Sequence, residues 1–169
     1  MGQLITPDLR AATPADASSL AALALEVWCA TYLRHGINAH FADYALAHFT
    51  PQRFDAWIAD PTRSLIVSQN RDGIDGFAHM DRANPDPVDG AVTTELTSLY
   101  IQPRHQGRGL GAALLHAALA AQAGPMWLAM NAENSAARAF YLAHNFTKSG
   151  EVAFKIGDGS YPNDILVRM

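Results

Sequence analysis

Three glycines, Gly107, Gly109 and Gly111, stand between an apolar strand pattern over residues 93–101 and a helical pattern that runs to residue 122. Glycine enters the left-handed backbone region freely and lets a ligand approach the main chain closely. The first turn of a helix carries N–H groups with no intrahelical acceptor and partial positive charge behind them. A strand, a polar loop over 102–106 and a glycine-led helix start therefore build a cradle for an anion, and a pyrophosphate suits it. Arg108 adds a mobile cation at the rim. The chain then contains at least one strand-loop-helix unit.

Two nucleotide motifs compete for this stretch. The phosphate-binding loop of nucleotide hydrolases fails, because no Lys-Ser/Thr follows the glycines. The dinucleotide fingerprint is formally met by Gly107-Arg108-Gly109-Leu110-Gly111-Ala112. It comes late, however, after about a hundred residues, and only one further strand-helix unit follows. That is too little for a dinucleotide-binding sheet. A third reading has the glycines serving only close packing of helix on sheet.

The rest of the chain reads as alternating strands and helices. Residues 8–12 form a first strand. Thr13-Pro14-Ala15-Asp16 starts a helix, with Thr13 as N-cap and Pro14 at the first position. Leu20, Leu23, Val27 and Ala30 follow at helical spacing, and Gly36 ends or interrupts the stretch. Residues 38–59 hold one or two helices anchored by Phe41, Leu46, Phe49, Phe54, Trp57 and Ile58. Strands over 64–68 and 74–80 pair through the turn Asn70-Arg71-Asp72-Gly73, and 83–90 is a loop. A helix over 106–122 turns Leu110, Leu114 and Ala117 or Ala118 inward. A buried strand over 126–130 and a helix over 134–144 come next. Strands over 151–156 and 165–169 end the chain, with Gly157-Asp158-Gly159 and Pro162-Asn163 between them. This order implies a mixed sheet covered by helices.

Composition removes several function classes. The 169 residues suit one domain with a real core. A net charge of -4 argues against a nucleic-acid partner, which asks for a basic excess. The single cysteine, Cys29, rules out an internal disulfide and a Cys-rich zinc site; it reads as a small buried residue. The seven histidines fall at no metal-ligand spacing, and His35, His40 and His48 read as surface or structural groups. No apolar run approaches the roughly 18 residues of a membrane span. Met1-Gly2-Gln3-Leu4-Ile5-Thr6 lacks a secretion-signal pattern; it fits the loose myristoylation pattern, but nothing basic follows to assist a single acyl chain. The expectation is a cytoplasmic protein without nucleic-acid or membrane partners.

Gln106-Gly-Arg-Gly-Leu-Gly111 resembles the Q/R-x-x-G-x-G/A motif of the GNAT (GCN5-related N-acetyltransferase) family. Asn134-Ser-Ala-Ala-Arg-Ala-Phe-Tyr141, closed by His144-Asn145-Phe146, resembles the next motif of that family, and the likeness in element order covers nearly the whole chain. The resemblance implies a single domain over 1–169 of α/β (α+β mixed) class. Its sheet would be mixed, mostly antiparallel, with about seven strands splayed between the fourth and fifth and helices on both faces. Acetyl-CoA would be the co-substrate, with no metal. Leu99, Tyr100 and Ile101 would offer main-chain bonds to the pantetheine arm. Gln106, Gly107, Arg108, Gly109, Leu110, Gly111 and Ala112 would hold the pyrophosphate, and Asn134 would reach the cofactor from the next helix.

The chemistry so implied is attack of a primary amine on an acetyl thioester. A proton must leave the amine, and the departing thiolate needs one. Tyr141 is the candidate acid; it follows Asn134 by seven residues, two helical turns on the same side. Glu95, amid apolar and hydroxyl residues on the strand that ends at the cofactor, is the candidate base. Thr97 would share its face if no bulge intervenes. Trp28 and Tyr32, one helical turn apart, are candidates for lining the acceptor pocket or for a core aromatic pair. The segments around Trp28-x-x-Thr31-Tyr32, Phe154-Lys-Ile-Gly157 and Asp164-Ile-Leu-Val167 resemble a bacterial subgroup that includes polyamine acetyltransferases, and Glu26, Asp43 or Asp55 could attract a polyamine. The expected partner is a small-molecule amine. An acceptor at a peptide N-terminus, a non-catalytic acyl-CoA sensor and a homodimer stay open.

Overall fold

The structure, a computed structural model, describes residues 6–169; the Met-Gly pattern over 1–5 lies outside the described residues. In chain order the elements are β1 (Asp8–Ala11), α1 (Ala17–Tyr32), α2 (Ala39–His48), α3 (Pro51–Ala59), β2 (Arg63–Gln69), β3 (Ile74–Asp81), β4 (Glu95–Ile101), α4 (Leu110–Ala121), β5 (Met126–Asn131), α5 (Ser135–Ala143), β6 (Thr147–Ile156) and β7 (Gly159–Arg168). One seven-stranded sheet runs β1-β2-β3-β4-β5-β7-β6, and every neighbouring pair is antiparallel except β4 with β5.

Local chemistry sets the helix starts. One turn of 3-10 helix, Pro14–Asp16, leads into α1. Asp16 accepts from the Thr13 N–H at 2.8 Å and from the Arg10 guanidinium at 2.7 and 2.9 Å. The Arg10 bond, aided by Thr13, holds that carboxyl down at about 2 against its partial desolvation. Asn38 and Thr50 cap α2 and α3 by accepting the Phe41 and Arg53 N–H groups.

The two larger cores sit on opposite faces of the sheet. One packs α1, α2 and α3 on the sheet through Leu20, Ala24, Trp28, Phe54 and Phe77. The other packs α4 and α5 through Leu110, Leu114, Leu115, Leu128 and Phe146, with Phe140 and Tyr141 against it. The expected mixed sheet with helices on both faces is what the chain forms.

Several local expectations need correction. The fourth helix begins at Leu110, not 106, because residues 106–109 are spent on the glycine turn. Leu46 is 61% exposed: the buried stripe of α2 runs Phe41, Tyr44, Ala45, and the next position points outward. Ala30 is likewise exposed, while Ala24 and Trp28 are buried. Pro162-Asn163 lies inside β7 rather than in a loop. The ladder with β5 ends at Asn131 and Asn163, so Pro162 has a strand, β6, on one side only, where a missing N–H is tolerated.

Candidate active site

The opening for a ligand comes from one break in the sheet. β4 and β5 register only at Glu95 and Trp127, supported by the Trp127 N–H donating to the Thr94 carbonyl at 2.9 Å. From there β4 stays with β3 through Ile101, and β5 stays with β7 through Asn131. The two strands part, leaving one edge of Leu99–Ile101 with no strand partner among the described residues. Unpaired main-chain groups on such an edge can accept an extended ligand as an added strand.

The glycine turn closes the far end of that opening. Gly107 and Gly109 have φ of 74° and 87°, both left-handed, and Gly109 is the N-cap of α4. The Ala113 N–H is the one that returns to the Gly109 carbonyl, at 3.0 Å. The N–H groups of Leu110, Gly111 and Ala112 therefore have no acceptor within the helix. A Cβ on Gly107 would meet no atom within 4 Å, so the backbone conformation, not packing, demands glycine there. At Gly111 a Cβ would reach Phe140 at 3.7 Å and Ile101 at 3.8 Å, ordinary contact that argues against a purely packing role. Gln106 Nε2 donates to the Ile101 carbonyl at 3.1 Å and ties the turn to the end of β4. Donors under open space, at a helix start, fit a diphosphate. Gly109→Val should weaken coenzyme A binding about 100-fold in calorimetry with an unchanged circular dichroism spectrum. A β-branched residue is strained in the left-handed region, and its side chain stands beside these donors.

Helix α5 faces the same opening. Asn134 caps it, its Oδ1 accepting from the Ala137 N–H at 3.0 Å, which leaves its amide nitrogen outside the cap. Tyr141 is half-buried, with ring centroids of Phe140 and Phe146 at 5.2 and 5.6 Å. Burial pushes its phenol above the ordinary range, so it keeps its proton at neutral pH. Burial also pushes up the phenol of Tyr100, and the nearby phenols of Tyr32, Tyr44 and Tyr141 add to the effect.

Glu95 sits where β4 and β5 still touch. Asn84 Nδ2 donates to its Oε2 at 2.7 Å and Thr97 Oγ1 at 3.3 Å. A bulge does intervene: Ser98 pairs with His79 and Leu96 with Met80, leaving Thr97 as the extra residue. The Thr97 hydroxyl reaches Glu95 nonetheless. Burial raises the carboxyl above its usual range, and the bonds from Asn84 and Thr97 offset part of that. Asp81 and Arg63 are its charged neighbours. The geometry joins Glu95 to Thr97, whereas Tyr141 packs with the core of the opposite sheet face.

Two adjoining cavities lie beside the opening. One of about 400 Å³ is bordered by Tyr32, Arg34, His35, Phe41, Glu133 and Asn134. The other, about 180 Å³, is bordered by Trp28, Tyr32, Phe41, Phe154, Tyr161 and Glu133. Trp28 is 5% exposed in the core and also borders the smaller cavity, while Tyr32 is 41% exposed and borders both. Glu133, Phe41, Phe154 and Tyr161 were not legible as cavity residues from the sequence; only the position of Glu133 just past a buried strand hinted at it. Glu26, Asp43 and Asp55 border neither cavity, and Glu26 accepts from Gln102 at 3.1 Å. Cys29 is half-buried, with its thiol pushed up by burial. Desolvation and Arg53 push His48 down, and its Nδ1 lies 3.0 Å from that guanidinium. Among the described residues no cluster of three potential metal ligands occurs, and no helix is long and apolar enough to cross a membrane.

Known proteins agree with this geometry. The model of the acetyltransferase (GNAT) domain matches residues 60–148. An uncharacterized N-acetyltransferase of Mycobacterium tuberculosis is 29% identical over 157 residues, covering 90% of this chain and 97% of that protein. Among solved structures, the PaiA N-acetyltransferase of Thermoplasma acidophilum in complex with coenzyme A superposes with a TM-score of 0.77 at 18% identity, covering 97% of this chain and 99% of that one. A GCN5-related N-acetyltransferase of Rhodopseudomonas palustris gives 0.73 at 19% identity, covering 99% and 98%. The strand break, the glycine turn and a family match over more than half the chain lead to one conclusion: this chain belongs to the GNAT acetyltransferases.

Proposed function

We propose that the protein transfers the acetyl group of acetyl-CoA to a primary amine of a small molecule by direct attack in a ternary complex. The observation that carries this reading is the parting of β4 from β5 beyond Glu95 and Trp127, which opens onto the start of α4. Acetyl-CoA, when bound, supplies the activated thioester carbon. The edge of Leu99–Ile101 aligns the pantetheine arm, and the N–H groups of 107–112 with Arg108 hold the diphosphate. Asn134 contributes its amide nitrogen. Tyr141 holds a proton for the leaving sulfur, and Glu95 with Thr97 takes the proton of the incoming amine, directly or through water. Trp28 and Tyr32 form one wall of the acceptor site. The sheet draws strands from Asp8 to Arg168, which supports one catalytic domain over the whole chain.

A thiol-release assay with acetyl-CoA over a panel of amines, run beside calorimetry with coenzyme A, tests this. Binding without turnover on any amine would favour a sensor domain, and turnover on peptide N-termini alone would replace the small-molecule acceptor. The pH profile adds a sharper check. A carboxyl raised by burial must lose its proton to serve as a base, so kcat/KM should rise with pH through a limb above the usual value of about 4.3. Glu95→Gln should abolish that limb and lower kcat/KM about 100-fold, near the lower end of general-base contributions.

A further inference from the structure

Resting on the acetyl-transfer reading, we propose that the acceptor is a primary monoamine carrying a single aromatic ring. The ring occupies the 180 Å³ cavity, and Glu133 on its wall attracts the ammonium on entry, before the nitrogen gives up its proton for attack. Five aromatic side chains border that cavity, from α1 (Trp28, Tyr32), α2 (Phe41) and the β6-β7 hairpin (Phe154, Tyr161). They already stand at tilted or edge contact: Trp28 to Tyr32 at 5.0 Å, Phe41 to Tyr161 at 5.7 Å and Trp28 to Phe41 at 6.0 Å. A guest ring would extend the same arrangement. The volume suits one ring, since an apolar cavity of about 150 Å³ holds benzene.

Charge narrows the class further. Glu133 borders both cavities and forms no ion pair among the described residues. Among the described residues it is the sole carboxylate on either cavity wall, and Arg34 and His35 stand on the larger one. One carboxylate beside aromatic faces suits one ammonium, which the faces also attract. A polyamine would bring several cations to one anion and to a guanidinium. An aliphatic amine would leave the aromatic faces half covered.

The test uses 2-phenylethylamine, butylamine and spermidine with the full-length protein. Thiol release should give 2-phenylethylamine a kcat/KM at least tenfold above both others. Phe154→Ala and Tyr161→Ala should erase that preference with coenzyme A binding intact. Glu133→Gln should raise KM for 2-phenylethylamine about tenfold. A thermal shift without acetyl-CoA supplies a second readout, in which 2-phenylethylamine should stabilise the wild type more than Tyr161→Ala. Equal or reversed preference, or no shift with 2-phenylethylamine, overturns the proposal. Turnover of spermidine or butylamine in that case leaves acetyl transfer standing. No heat with coenzyme A and no thiol release with any amine would bring down the acetyl-transfer reading as well.

Discussion

Replacing Tyr141 with phenylalanine should lower kcat about 100- to 1000-fold, the range typical of a lost proton donor. The affinity for acetyl-CoA should stay within about twofold, because the ring keeps its contacts with Phe140 and Phe146 and only the hydroxyl goes. Burial keeps the phenol protonated at rest, and under the proposed mechanism its hydroxyl is the group that would meet the leaving sulfur. Stopped assays on the purified variant, with calorimetry for acetyl-CoA, separate the two quantities. A kcat within threefold of wild type would remove Tyr141 from the chemistry and leave it a packing residue.

Asp164→Ala should cost about 3 kcal/mol of stability, read by urea unfolding. This carboxylate, on β7, is fully buried. It pairs with Arg138 of α5 and, at 2.9 Å, with Lys148 of β6. Arg138 also donates to the Ala132 carbonyl at 2.8 Å, so the group fastens α5 to the sheet three residues before Tyr141. The two cations are 40% and 44% exposed and can hydrate when the anion goes, which keeps the expected loss at the low end for a broken buried pair. Burial by itself would raise the Asp164 carboxyl, but Lys148 and Arg138 pull it below its ordinary value. A depressed carboxyl stabilises the fold above its unfolded pKa of about 3.9, and that contribution is lost as pH falls through the folded value. Acid melts of wild type and variant should converge in that window. The variant should also lose kcat, because α5 carries Tyr141.

Much of this was readable in the residues. Thr13, Pro14, Asn38 and Asn134 mark helix starts within a few positions of themselves, and the structure places all of them at or beside a helix N-terminus. The residues themselves pointed to the glycine turn, and the family likeness to the parted strands. The failures share a cause. Leu46 obeys helical spacing and still faces solvent, because α2 offers only a narrow stripe to its neighbours. Pro162 looks like a loop residue, yet it continues a strand because β5 stops beside it. Neither fact is encoded near the residue concerned.

The same division governs the site. The chain by itself determined the anion cradle, since left-handed glycines, a helix start and the strand before them are consecutive, and their conformational energies are local. The packed fold alone decided what faces the cradle. The parting of β4 from β5, the burial of Asp164 beneath two cations and the meeting of Trp28, Phe41, Phe154 and Tyr161 around one cavity join segments up to more than a hundred residues apart. Contacts of that range depend on which surfaces exclude water together, a property of the assembled layers rather than of any stretch of sequence.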